Sequence, residues 1–202
     1  MFLKAGALSL ALLLASRLLG LVRESAVAAA FGSSALADVA VLMLSLPDWL
    51  SAVLASGALA YVLVPAWTGH APHAVRRSHK RVAGRLLVLG LALAMLLWVM
   101  RAQLAAVLAP GLPPDLLATA GTALAWSAVS IPLALLAALG AARLQQGRDF
   151  LGLYGANLVV NAVVIGAIVG AAFLARDGVA LLGAGLVFAM VGRLGWEGRR
   201  GA

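Results

Sequence analysis

The sequence predicts an all-α, polytopic membrane protein: one transmembrane domain over residues 1–202, built as a bundle of about six spanning helices. Three observations predict it. First, 64% of the 202 residues are hydrophobic and the mean hydropathy is +1.06. A soluble domain is about 45–50% apolar, so this chain has too little polar surface to enclose its own core in water. A bilayer supplies the apolar solvent instead. Second, the apolar residues form long unbroken runs rather than the alternation of a transmembrane β-barrel. Third, the charged residues are few, at 11%, and most fall between the runs, which is the pattern of membrane topology. The net charge of +8 is therefore read as topology, and nucleic acid is not an expected partner.

Six apolar segments follow in order, at roughly 5–31, 36–66, 82–109, 115–142, 150–175 and 178–195. A spanning helix needs about 20 residues, and longer segments can tilt or carry interfacial ends. The first begins like a signal peptide, with Lys4 followed by Ala5 to Ala15. Its apolar character resumes after Arg17 and runs to Phe31, which favours a retained helix. The second contains Pro47, which removes a backbone donor and is expected to kink the helix. Between the second and third lies the longest polar stretch, Thr68 to Arg85, read as a basic loop. Ala109-Pro110-Gly111-Leu112-Pro113-Pro114-Asp115 breaks the chain before the fourth, which carries Pro132. Arg176-Asp177-Gly178 is a tight turn between the fifth and sixth. Gly166 and Gly170 form a small-xxx-small pattern that reads as close helix packing.

Lys and Arg placement sets the expected orientation. With the N-terminus inside, the inner side holds Lys4, Arg76, Arg77, Lys80, Arg81, Arg85, Arg143, Arg148, Arg193, Arg199 and Arg200. The outer side holds Arg101 and Arg176. An even number of spans then places both termini in the cytoplasm.

Chemistry is sparse. Cysteine is absent, which removes thiol catalysis and thiolate metal sites. His70, His73 and His79 lack the further ligands a metal needs. The basic stretch around them suits anionic lipid headgroups. No nucleophile with a base, no phosphate loop and no paired catalytic carboxylates appear, so no enzyme, cofactor or metal is expected.

The distinctive residues are charges inside apolar segments. Arg17, Arg23 and Glu24 lie in the first one. A central Arg costs about 2.5–3.5 kcal/mol on insertion scales, so such residues normally face a partner or a wet cavity. Arg17 and Glu24 are seven residues apart and share a helix face, with Arg23 roughly 120° from Arg17. Gly20, between them, is a possible bend. Two readings stand: a cationic cavity that grips an anion such as phosphate, or Arg23 and Glu24 snorkelling at an interface. Asp38 reads as a helix-start acid favoured by the dipole. Asp48 either solvates the Pro47 kink or faces a cavity. Pro132 reads as a second kink.

Ser16-Arg17-Leu18-Leu19-Gly20-Leu21-Val22-Arg23-Glu24, Phe31-Gly32, Ala37-Asp38, Leu46-Pro47, Gly57-Ala58 and Val64-Pro65 resemble the start of the MurJ (MviN) lipid II flippases. These belong to the multidrug/oligosaccharidyl-lipid/polysaccharide exporter superfamily. Ala109-Pro110-Gly111, Pro132, Arg148-Asp149-Phe150 and Asn157 to Asn161 continue the resemblance. It implies a transporter of the bacterial inner membrane that moves an undecaprenyl-linked peptidoglycan precursor from the inner to the outer leaflet. By resemblance Arg17, Arg23 and Asp38 contact that substrate; Glu24, Gly20, Pro47, Asp48 and Pro132 stand on the residue reading alone as candidate cavity or hinge positions. Two departures matter. Ser51, Ala52 and Ser56 stand where the family carries charge. The resemblance also covers one lobe of a family with about fourteen helices in two lobes, so alternating access needs a second lobe, from a homodimer or a separate half-transporter. The alternative is a non-transporting scaffold of cell-envelope synthesis, or a degenerate truncated flippase.

Overall fold

The structure is a computed structural model that describes residues 2–54, 59–173 and 178–201. The side chain of Lys4, the Ser56 to Ala58 stretch and the Arg176-Asp177 turn lie outside the described residues. Seven helices and no strand occur among them: α1 (Phe2–Phe31), α2 (Ala35–Val53), α3 (Leu59–Trp67), α4 (Pro72–Leu108), α5 (Pro114–Gln146), α6 (Phe150–Phe173) and α7 (Gly178–Arg200). Helices α2, α4, α5, α6 and α7 are long and apolar enough to cross a membrane. Helix α1 is long enough but carries Arg17, Arg23 and Glu24. The architecture is a polytopic helical bundle.

The second apolar segment is helical on both sides of residues 55–58, over α2 and α3. One element differs from the sequence expectation. The basic stretch before the third segment is not a loop. Helix α4 starts at Pro72 and places His73, Arg76, Arg77, His79, Lys80, Arg81 and Arg85 on its first turns. Proline at the first helical position is pre-organised for a start, and Arg and Lys are good helix formers. At 37 residues, α4 is about 55 Å long by its rise per residue. It therefore outruns a hydrocarbon core of about 30 Å.

Helix α5 is the hub. It packs against α2, α3, α4, α6 and α7, while α1 joins the bundle mainly through α6. The buried surface of α5 is mostly small: Ala120, Ala123, Ala128, Ala134, Ala137, Ala138, Ala141 and Ala142 are all essentially covered. Small side chains let backbones approach, which in lipid substitutes packing for a hydrophobic drive between helices. Gly90 of α4 meets α5 at Pro132, where an added Cβ would lie 2.7 Å from the Pro132 Cα. Gly183 of α7 receives the Trp126 ring of α5. On the α6–α7 face, Gly170 packs on Leu181 and Gly185 on Ala167, whereas Gly166 faces open space. The small-xxx-small pattern therefore contributes one of its two glycines to this contact.

The prolines are absorbed by the same packing. Helix α2 runs through buried Pro47 to Val53. Proline has no N–H for the carbonyl four residues earlier, and that carbonyl belongs to Met43. The Ser127 hydroxyl of α5 donates to it at 2.8 Å. A second hydroxyl, on buried Ser51, donates to the Ala134 carbonyl at 3.5 Å. At the opposite turn of the bundle, Arg148 adopts φ 56°, and Asp149 accepts from the Gly152 N–H at 2.8 Å to cap α6. Arg200 of α7 bridges to the same carboxylate at 3.2 Å.

Two stability tests follow. Gly90→Leu should destabilise the detergent-solubilised protein by about 1–3 kcal/mol through overpacking, read as a lower melting temperature. Ser127→Ala removes one interhelical bond and should cost about 1 kcal/mol; an unchanged melting temperature would show that Met43 finds another donor.

Candidate functional site

Arg23 lies on the face of α1 that includes Ser16 and Val27, both buried against the bundle. This brings its guanidinium to α2. One Nη donates to Asp48 Oδ2 at 2.6 Å and the other to Glu24 Oε1 at 2.8 Å, with Nε at 3.3 Å from the same oxygen. The Arg23 side chain is 16% exposed, so the cation is largely withdrawn from solvent while both carboxylates remain more open. Arginine's planar fork suits two acceptors at once. Asp48 can reach Arg23 because Pro47 is tolerated without ending α2, which keeps residue 48 in helical register.

Arg17 is placed differently. It is exposed, and among the described residues it has no hydrogen-bond or ion-pair partner. It stands near the middle of α1, about 21 Å along the helix from Phe31. Helical geometry sets it within about 20° of Glu24. Helices α1 and α2 meet sparsely, which leaves an open seam between them whose single ionic tie among the described residues is Arg23–Asp48.

The other anticipated residues separate. Asp38 is exposed in the first turn of α2, ten residues before Asp48 and about 15 Å away along the axis. It favours the helix N-terminus electrostatically and is not joined to the Arg23 cluster. Helix α1 is continuous through Gly20, where an added Cβ would meet nothing within 4 Å. Pro132 is buried in the α4–α5 contact rather than on the seam. Ser51 occupies one of the places where charge was expected, and it is buried as an interhelical hydrogen-bond donor.

A second charged constellation was not anticipated. Arg193 and Glu197, one turn apart on α7, are both buried and joined at 2.8 Å. Arg193 is thus a paired, buried cation. The i, i+4 spacing of opposite charges was the available sequence cue.

A family model described as Lipid II flippase MurJ matches residues 27–194. The chain belongs to the lipid II flippase MurJ family. No curated protein and no solved structure matches it. The family match includes Asp38, Pro47, Asp48 and Pro132. Arg17, Arg23 and Glu24 precede it, so their place beside the matched α2 rests on the geometry just described.

The Arg23–Asp48 tie yields a direct test. Asp48→Arg and Arg23→Asp should each lower thermal stability, by about 1 kcal/mol given the partial exposure of the pair. The double exchange should recover most of that loss; no recovery would mean that the two charges do not act on each other.

Proposed function

We propose that this chain is one lobe of a lipid II flippase of the bacterial inner membrane. In this reading it carries an undecaprenyl-linked peptidoglycan precursor from the inner to the outer leaflet. The single observation that supports it is Arg17: a guanidinium at mid-helix in an apolar segment, exposed and without an ionic partner among the described residues. Burying an uncompensated cation in hydrocarbon is costly, so it belongs in a wet cavity that receives an anion. Pyrophosphate on a lipid carrier is such an anion, and a guanidinium is suited to it.

Arg23 plays a second part in this proposal. It is already engaged by Asp48 and Glu24, so it meets a phosphate by exchanging partners. Withdrawing it from Asp48 removes the ionic tie between α1 and α2. Cargo binding at Arg17 is thereby linked to the spacing of two helices that otherwise touch little. The open seam also needs a facing wall, and a second lobe supplies it, as a second copy of this chain or as a separate half-transporter. The basic ends of α4, α5 and α7 lie in the cytoplasm, with both termini, by the positive-inside rule.

A scaffold reading is favoured by one observation, the near-neutralisation of Arg23. The two readings diverge for Arg17→Ala. A flippase should insert normally yet lose at least about tenfold in precursor translocation, the worth of one charge-assisted hydrogen bond. The measurement is outward movement of labelled precursor in cells depleted of other flippases. Full translocation by the variant would leave the scaffold reading.

A further inference from the structure

A half-open cavity of about 650 Å³ lies between the first turns of α4 and the last turns of α5 and α7. It is remote in sequence and in helix position from the Arg17–Arg23 seam. Its wall is apolar at Leu136 and Leu139 and cationic at Arg76, Lys80 and Arg143. Arg76 and Lys80 are four apart on α4 and share a face. Among the described residues, none of these three cations is in an ion pair.

Glu197 also lines the cavity. Its residue exposure is 3%, its Oε1 is taken by Arg193, and its Oε2 is buried without a hydrogen-bond partner among the described residues. A buried acceptor left unmade costs the full desolvation of that oxygen. Gly140 of α5 opens the space for it, because a Cβ there would overlap Oε2. The cavity therefore offers several donors to an anion, and the carboxylate in its wall keeps one oxygen, seated over Gly140, without a donor among the described residues.

We propose that this cavity binds an aminophosphate headgroup, its phosphate held by Arg76, Lys80 and Arg143 and its ammonium donating to Glu197 Oε2. A simple phosphate satisfies the three cations and leaves the carboxylate oxygen bare. A quaternary ammonium phosphate supplies charge but has no N–H to donate. The apolar wall and the position at the rim of the apolar belt suit an inner-leaflet phospholipid, and free phosphoethanolamine carries the same chemistry in solution.

The test uses the full chain in nanodiscs, with retained lipid measured by native mass spectrometry. Phosphatidylethanolamine should be kept over phosphatidylcholine by at least about tenfold. Glu197→Gln keeps the shape and should abolish that preference while still holding phospholipid. Arg76→Gln with Lys80→Gln changes two exposed side chains, so it leaves the core intact, and it should weaken both lipids together. Displacement of the lipid by millimolar phosphoethanolamine, measured in parallel, supports the same site with a soluble source. Equal retention of the two lipids by the unmodified chain, or an unchanged preference in a folded Glu197→Gln variant, overturns the proposal. Should Glu197→Gln fail to fold, undiminished binding by the Arg76/Lys80 double variant overturns it alone.

Discussion

Helix α5 can be surrounded because its side chains take up so little room. In hydrocarbon, helices gain nothing by hiding apolar surface from lipid tails that are equally apolar. What holds them is close packing and the few polar bonds that packing brings within reach. The alanines of α5 allow α2, α4 and α7 to come close on different sides, and Gly90 and Gly183 extend the same fit from the partner helices. Ser127 then lies near enough to serve the carbonyl that Pro47 leaves free. The proline is thus carried inside a continuous helix, and Asp48 stays in register to meet Arg23. The charged seam depends on the packing of a helix that contributes no charge to it.

Hydropathy reads the lipid-facing part of this arrangement well, because the same transfer free energy places residues in the bilayer and scores them along the chain. It is blind to what happens where the lipid stops. The apolar run after the basic stretch begins near residue 82, but the helix begins at Pro72. The last run fades near 195, but α7 continues to Arg200. Arg76, Lys80 and Glu197 all sit in these extensions, which is why their cavity was not legible. Arg23 and Asp48 were each conspicuous as intramembrane charges. Their pairing spans 25 positions and depends on how α1 leans on the bundle, which a single sequence does not encode in any local pattern. Asp38 shows the converse. Its resemblance-based grouping with the arginines is a similarity along the chain, and the dipole of α2 is its nearer physical context.

The two charged sites obey one electrostatic rule from opposite sides. The cost of a charge depends on the medium around it and on its counterion. On the seam, Arg23 is matched by Glu24 and Asp48, whereas Arg17 has no ionic partner among the described residues. Pairing of this kind is what allows the Arg23 cation to be largely withdrawn from solvent. At the basic end, Arg76, Lys80 and Arg143 line one cavity with Glu197, which Arg193 already engages, and the balance is positive. Such an imbalance is tolerable only where the helices have left the hydrocarbon and water or headgroups can answer it. The start of α4 at Pro72 is therefore a condition for the second site: a helix beginning with its apolar run near residue 82 would have left no platform on which to gather Arg76 and Lys80.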